Sequence, residues 1–289
     1  MNVATSSLVL AAVVGVLSGT DTAIWGMYKD ASHEGFTVLR FTRSVVVGAA
    51  AAVVIQAVLG LQLPSAAAIV VLFGLAYALE RGIVEVWKTF IRVEDQSKYF
   101  IPMQFSIRGV PVTSRRARLV AGALYVALVA LCLFGVAQLD RSGSGRLSSS
   151  VVALLGFAVG AIIAVGGAWK DAPKEGFQPL KFFRSPCMTA AFALLLGYLT
   201  DSYLQATVAA IGFERATVEM YKTFFFPSRP RGKFAGKPVL YPDMLVKRRQ
   251  FVPVYVAIKT ALLVVMALAL LETAPRVAAW SSGTPSTGP

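Results

Sequence analysis

Residues 28–44 read YKDASHEGFTVLRFTRS, and residues 169–185 repeat that stretch as WKDAPKEGFQPLKFFRS. A second pair follows in the same order, ERGIVEVWKTF at 80–90 and ERATVEMYKTF at 214–224. Two matches in the same order, separated by apolar segments, predict an internal duplication whose unit is roughly half of the chain. The rest of the sequence can be interpreted around these four stretches.

Composition places the chain in a membrane. Hydrophobic residues make up 56% of the sequence and charged residues 15%, against about 25% charged residues in soluble domains. Apolar runs of about 17 to 25 residues recur, which is the length that crosses a hydrocarbon core of roughly 30 Å. The sequence therefore predicts an all-α protein of a bacterial-type inner membrane with about eight transmembrane helices, near residues 6–28, 44–62, 65–90, 118–138, 150–169, 186–200, 203–226 and 253–272.

The eight predicted spans divide into two repeats of four helices. The first repeat covers residues 1–139, a Gly/Ser-rich linker covers 140–150, the second repeat covers 151–274 and a disordered tail covers 275–289. An even number of helices in each repeat gives both halves the same orientation, related by a pseudo-two-fold axis along the membrane normal. The spans at 186–200 and 203–226 are the weakest, and the first of them either crosses incompletely or is re-entrant.

Basic residues predict the orientation. Of the 28 Lys and Arg residues, 22 lie in the four odd-numbered connections, at 28–44, 88–118, 170–185 and 222–252. Three lie in the even-numbered connections and the termini. By the positive-inside rule, the odd-numbered connections are cytoplasmic and both termini lie on the other side.

The same basic connections indicate the partners. Cations beside a cytoplasmic leaflet attract anionic headgroups by about 1 kcal/mol each, so we expect membrane lipids, especially anionic ones, and no nucleic acid. Assembly into a homo-oligomer or a larger membrane complex stays open. The chain has one histidine and two cysteines, so zinc chemistry and Ser–His–Asp catalysis have too few residues, and no catalytic residue is assigned.

The repeated loop predicts an anion or headgroup site. Serine at the end of each loop suits the N-cap of the next helix, and a helix N-terminus with a neighbouring arginine favours phosphate. The residues of this site are Lys29, Arg43, Ser44, Lys170, Arg184 and Ser185.

Acidic residues in the same loops suggest one cofactor. Carboxylates four residues apart could hold Mg²⁺ against a bound phosphate, and these are Asp30, Glu34, Asp171 and Glu175. No other cofactor is evident. The alternative is that these acids pair with Lys29, Arg40 and Arg43 and fix a tight loop.

The second repeated stretch predicts a charged site inside the membrane. Arginine, glutamate and lysine at i, i+4 and i+7 share one helix face, and intramembrane charges mark functional sites by default. The ligand-binding candidates are Glu80, Arg81, Glu85, Glu214, Arg215 and Glu219. We expect Arg81 to pair with Glu85 and Glu80 to face the other half; a structural clamp of buried ion pairs is the alternative.

Asp21 joins these candidates because it breaks the symmetry. The aligned residue in the second half is Ile162. A carboxylate at this depth is protonated, pairs with Arg81 or Arg215, or binds a cation.

Three function classes remain. A transporter or channel accounts for the parallel duplication together with the charged helix interiors, and its discriminating feature would be a polar cavity at the repeat interface lined by Glu80, Glu214 and Asp21. A membrane-embedded enzyme acting on a phosphate-bearing lipid accounts for the acidic and basic loops. A structural or assembly subunit would have its charges fully paired and no cavity. The sequence favours the transporter.

Overall fold

The computed structural model describes residues 3–142, 147–226 and 232–282. Within these ranges, eight helices have 18 residues or more, and one short helix precedes the last of them. In chain order the helices are α1 (Val3–Glu34), α2 (Val38–Leu59), α3 (Ala66–Val86), α4 (Arg115–Ser142), α5 (Ser149–Glu175), α6 (Pro179–Gly197), α7 (Tyr203–Met220), α8 (Met244–Lys247) and α9 (Val252–Ser282). A two-residue hairpin, β1 (Ser106–Ile107) and β2 (Val110–Pro111), lies between α3 and α4.

Six helices are long and apolar enough to cross a membrane: α1, α2, α3, α4, α5 and α9. The all-α prediction is therefore confirmed, and several crossings make this a polytopic membrane protein. Helices α6 and α7 are outside that set because charged residues, such as Arg184 in α6 and Glu214 in α7, interrupt their apolar runs. These are the two segments that the sequence ranked weakest, and a total of eight crossings stays a prediction.

The repeated loops are much shorter than the sequence predicted. Helix α1 continues to Glu34 and α2 begins at Val38, while α5 continues to Glu175 and α6 begins at Pro179. Gly35 and Gly176 have φ of 73° and 79°, a conformation that ends a helix and that glycine adopts without steric cost.

The predicted capping role of Ser44 and Ser185 is therefore wrong. Both serines lie inside helices and are buried. The residues before the two helices, Thr37 and Gln178, make no side-chain cap hydrogen bond. The glycine stop allows the next helix to begin about two turns earlier than the serine, so the two serines serve helix packing instead.

Glycines let two pairs of helices approach closely. A Cβ on Gly19 of α1 would lie 2.3 Å from the Ser44 carbonyl oxygen of α2. A Cβ on Gly160 of α5 would lie 2.8 Å from the Ser185 carbonyl oxygen of α6. Gly15 and Gly156, one turn earlier, make equally close contacts. Each pair thus uses a small residue at every fourth position, as membrane helices commonly do.

The centre of the bundle is the crossing of α3 with α7. A Cβ on Gly212 would lie 2.0 Å from the Gly74 carbonyl oxygen, and the rings of Phe73 and Phe213 are 6.1 Å apart. Helix α9 packs against α3, and α4 packs against α7. The last long helix of each half of the chain therefore contacts the third helix of the other half.

The connections gather at two ends of the bundle. At one end, Phe100 N–H donates to the Lys233 carbonyl (2.7 Å) and Trp169 Nε1 donates to the Ser106 carbonyl (2.9 Å). At the other end, Asp140 accepts hydrogen bonds from Ser202 Oγ (2.7 Å) and from Tyr203 N–H (2.6 Å). The connections after α1, α3, α5 and α7 share the first end, which we call the basic end.

Candidate ion-pair site between the two halves

Two helix ends bring the candidate residues together. Beyond α3 and α7 the chain continues as single π-helical turns, Trp87–Ile91 and Tyr221–Phe225, a feature that often occurs at functional sites. The motif Glu-Arg-x-x-x-Glu-x-x-Lys runs from α3 and α7 into these turns. Because α3 packs against α7, the two copies of the motif lie near each other.

In the first copy, the arginine pairs within its own helix. Arg81 Nη2 lies 2.5 Å from Glu85 Oε1, and Lys88 Nζ lies 3.7 Å from the same oxygen. Glu80 is fully buried, lies 3.7 Å from Arg81 Nη1 and has neither carboxylate oxygen hydrogen-bonded. The expected Arg81–Glu85 pair is therefore present in the structure, and Glu80 is the carboxylate with the weaker contacts.

In the second copy, the arginine has a different partner. Arg215 donates to Glu214 through Nε (2.6 Å) and Nη2 (2.9 Å), and Ser185 Oγ also donates to Glu214 (2.6 Å). Glu214 is fully buried, as Glu80 is, but its oxygens are hydrogen-bonded. We call the first glutamate of the motif (Glu80 or Glu214) the inner one and the second (Glu85 or Glu219), nearer to the basic end, the outer one. The shortest contact of the arginine is thus to the outer glutamate in the first copy and to the inner glutamate in the second.

A tryptophan explains part of this difference. The Trp25 ring covers Arg81 at 5.1 Å, and its Nε1 donates to the Tyr77 hydroxyl (2.7 Å). At the aligned position of the second half the chain has Gly166. The Arg215 side chain is accordingly 28% exposed, whereas that of Arg81 is 11% exposed.

Lys29 of α1 reaches across to the other half, and the aligned Lys170 of α5 does so less closely. Lys29 Nζ forms a salt bridge with Glu219 (3.3 Å), which also lies 3.8 Å from Lys222 Nζ. The aligned Lys170 interacts electrostatically with Glu85, but in the described ranges no carboxylate lies within the 4.0 Å of a salt bridge from it. The Glu85 side chain is 45% exposed and that of Glu219 is 12% exposed. The two contacts between halves therefore differ. The contact from Lys29 to Glu219 is a salt bridge, which we call the closed crosswise contact, and the aligned one from Lys170 to Glu85 is the open crosswise contact.

Asp21 has a partner that sequence reasoning did not find. It is fully buried in α1 and lies 2.7 Å from Lys259 Nζ of α9, instead of pairing with Arg81 or Arg215. Lys259 is conspicuous in the sequence as a lysine inside an apolar span. The missing information was that α9 returns to pack against the first half.

Asp21, Glu80 and Glu214 do not line an open cavity, because all three are fully buried. The solvent-accessible charges lie nearer to the basic end, where the side chains of Glu85 and Arg215 are partly exposed. The polar cavity expected of a transporter is therefore absent at these three carboxylates in this conformation.

The acidic residues of the loops pair with cations. Asp30 and Glu34 contact Lys233 at 2.8 and 3.3 Å, and Glu34 contacts Arg40 at 3.2 Å. In the second half, Lys181 holds both acids, Asp171 (3.0 Å) and Glu175 (2.7 Å). The residues that the structure describes contain no group of three potential metal ligands. Mg²⁺ at these acids stays a prediction.

The two arginines of the repeated stretch, which lie inside α2 and α6, have aromatic or basic neighbours. Arg43 lies over the Trp87 ring at 5.2 Å, and Arg184 interacts electrostatically with Lys222. The buried Nε atom of each arginine has no hydrogen-bond partner. Binding of anionic headgroups by Arg43 and Arg184 also stays a prediction.

A polar network connects α1 to the connection after α3 at the basic end. The Tyr99 hydroxyl lies 2.9 Å from both Glu34 and Glu94, and Arg92 lies 2.6 Å from Glu94. Burial raises the pKa of Glu94, but the hydrogen bond from Lys98 and the charge of Arg92 outweigh it, so the pKa is below its usual value. Burial and the neighbouring Glu34 raise the pKa of Tyr99.

No family model, curated protein or solved structure matches this chain. Fold and site together define a polytopic helical membrane protein with a network of buried and half-buried ion pairs at one end of its bundle.

Proposed function

We propose that this protein is a transporter whose two halves are internal repeats that move against each other, with a charged site between α3 and α7. The observation that carries this proposal is the difference in arginine pairing. Arg81 is hydrogen-bonded to the outer Glu85 and lies 3.7 Å from the inner Glu80, whereas Arg215 is hydrogen-bonded to the inner Glu214. Two copies of one motif therefore adopt the two arrangements between which a moving site would alternate.

Exchange between these arrangements has a low electrostatic cost. Breaking a buried ion pair costs about 3 to 5 kcal/mol because one charge is left without a partner. Here each arginine has two glutamates within its own motif, so it can leave one and still be paired. A ligand that binds one arrangement more tightly would shift the population toward it.

The packing supports the repeat part of the proposal. Helix α1 packs on α2 through Gly15 and Gly19, and α5 packs on α6 through Gly156 and Gly160. These glycines are at aligned positions of the two halves. We further propose that the basic end faces the cytoplasm, with anionic lipid around it, and that both termini are on the opposite side.

The test follows distances at the basic end without requiring a known substrate. Spin labels at Val38→Cys and Leu180→Cys report one helix start from each half, and both positions are highly exposed. The background carries Cys132→Ser and Cys187→Ser because both native cysteines are exposed. We expect two distance populations in liposomes. Labels at Leu39 and Val58 of α2 are the control and should give one distance.

A pair of variants makes the test specific. Glu219→Gln removes the closed crosswise salt bridge to Lys29 and should shift the population toward the longer distance. Glu85→Gln, at the aligned position where the contact to Lys170 is open, should shift it less. A single distance that neither variant changes would support a structural subunit and overturn the proposal.

Alternating access provides the second measurement. In oriented liposomes, Gly166→Cys should react with a membrane-impermeant thiol reagent from the basic end in one population and from the opposite side in the other. Glu219→Gln should change the ratio of the two. If Gly166→Cys reacts only from the basic end in every variant, access to this position does not alternate. That result would fit an enzyme with a fixed site and would overturn the transport proposal.

A further inference from the structure

Glu85 lies among several cations from different parts of the chain. Four cations interact electrostatically with this one carboxylate: Arg81, Lys88, Lys170 and Lys233. Only Arg81 and Lys88 contact it within 4.0 Å. Lys233 is held by Asp30 and Glu34. Lys170 interacts electrostatically with Glu85 and Asp171, and its crosswise contact to Glu85 is the open one described above.

This cluster is not enclosed by protein. The Glu85 side chain is 45% exposed, although four charged groups from three parts of the chain surround it. One turn before Lys170, Gly166 and Gly167 are exposed and have no atom within 4 Å of the point where a side chain would begin. Trp169 holds this part of α5 on the β1–β2 hairpin through its hydrogen bond to the Ser106 carbonyl. Lys170 is therefore a partly exposed residue on a segment of α5 that the hairpin holds in place.

We infer that the cluster of Arg81, Glu85, Lys88 and Lys170 binds a small anion that carries at least two negative charges, such as a phosphate or diphosphate group. Lysines supply point charges and arginine a planar fork, the combination that recognises phosphate oxygens. Glu85 occupies Arg81 when no ligand is bound, so an incoming anion competes with Glu85 for the arginine. The anion would then release Glu85 and favour the inner pairing that Arg215 already shows.

The role of this anion as cargo rests on the proposed transport function, but its binding does not. The phosphate group could belong to a free solute or to a lipid headgroup. Both sources present the same oxygens, so the experiment contains one arm for each.

Binding is measured by calorimetry on the full chain in an uncharged detergent, at constant ionic strength, because salt screens exposed charges. The probes are inorganic pyrophosphate, inorganic phosphate and acetate. We expect pyrophosphate to bind at least tenfold more tightly than acetate. Lys170→Gln and Lys88→Gln should each weaken pyrophosphate binding about tenfold. Lys174→Gln, one turn further along α5 and exposed, is the matched control and should leave it unchanged.

Glu85→Gln is the decisive variant, because removing a carboxylate that competes for Arg81 should tighten pyrophosphate binding severalfold. A structural role for Glu85 would not tighten binding. The lipid arm compares nanodiscs of phosphatidylcholine with nanodiscs containing phosphatidic acid: a headgroup ligand should block pyrophosphate binding in the second, and a free solute should bind in both.

Equal affinity for pyrophosphate and acetate, or equal effects of Lys170→Gln and Lys174→Gln, would overturn the site. Binding together with a single spin-label distance would retain the site and reject transport. Two distances without pyrophosphate binding would reject the site and retain transport.

Discussion

Two glutamates at aligned positions differ in how the protein compensates their charge. Glu214 accepts hydrogen bonds from Ser185 and Arg215, whereas both oxygens of the fully buried Glu80 lack one. Removing a hydrogen-bonded partner leaves a buried donor unsatisfied at about 1 to 3 kcal/mol. Removing a carboxylate that has few partners should cost little, because Arg81 keeps Glu85.

The first prediction compares these two residues. Glu214→Gln should lower the free energy of unfolding by about 1 to 3 kcal/mol, and Glu80→Gln should lower it less or raise it. Thermal unfolding in detergent measures both. If Glu80 carries charge during transport, Glu80→Gln should be stable and should show one spin-label distance. A larger loss of stability in Glu80→Gln than in Glu214→Gln would identify Glu80 as part of a clamp.

The second prediction concerns the buried pair of Asp21 and Lys259. Asp21→Asn and Lys259→Met should each destabilise the protein by about 3 to 5 kcal/mol, because each leaves an uncompensated buried charge. The double variant should recover most of that loss. Melting temperatures of the four proteins form a double-mutant cycle. Additive losses in the double variant would mean that the two residues do not stabilise each other.

The third prediction follows from the lowered pKa of Glu94. A carboxylate with a folded pKa below its unfolded value contributes stability above the unfolded pKa, and that stability is lost as the pH falls through the folded pKa. Wild type should therefore melt higher than Glu94→Gln near pH 7, and the difference should shrink as the pH is lowered below 4. A difference that grows on acidification would contradict the pairing of Glu94 with Arg92 and Lys98.

At the scale of helices, sequence reasoning found which segments are helical but not where they end. The existence of six of the eight long helices follows from apolar length, a property of composition. The ends depend on backbone conformation at single residues, and Gly35 and Gly176 shorten the predicted loops to three-residue connections. The Glu-Arg-x-x-x-Glu motif was identified from spacing alone. Its different pairings in the two halves depend on Trp25 and Gly166, which lie on other helices.

The fourth prediction tests the close approach of α1 to α2. Gly19→Ala should destabilise the protein, because its new methyl group would lie 2.3 Å from the Ser44 carbonyl oxygen. Gly26→Ala in the same helix meets no atom within 4 Å and should stabilise by about 0.5 to 1 kcal/mol, because alanine favours helix. Thermal unfolding distinguishes them. Equal effects would show that this crossing is looser than described.

At the scale of the whole molecule, the charge asymmetry predicted which connections lie together. The contacts between 92–114 and 232–243 at the basic end agree with that grouping. What the sequence could not supply is the packing of each half's last long helix on the other half, since no residue pattern identifies the partner of a uniformly apolar helix. The Asp21–Lys259 pair was missed for this reason.

The fifth prediction concerns sidedness. In a background with Cys132→Ser and Cys187→Ser, Ser149→Cys and Lys174→Cys lie at exposed positions near opposite ends of α5. An impermeant maleimide added to intact cells should label Ser149→Cys from outside and Lys174→Cys only after lysis. Labelling of both before lysis would defeat the predicted topology.

The Arg81–Glu85 pair also matters for biogenesis. A chain synthesised from its N-terminus delivers α3 to the bilayer before α7 and α9, against which α3 finally packs. During that interval the charges of α3 would have α1 and α2 beside them but would lack the contacts that the second half supplies. Because the counter-ion of Arg81 is Glu85, one turn along the same helix, α3 can enter the membrane as a nearly neutral segment before the second half of the chain is synthesised.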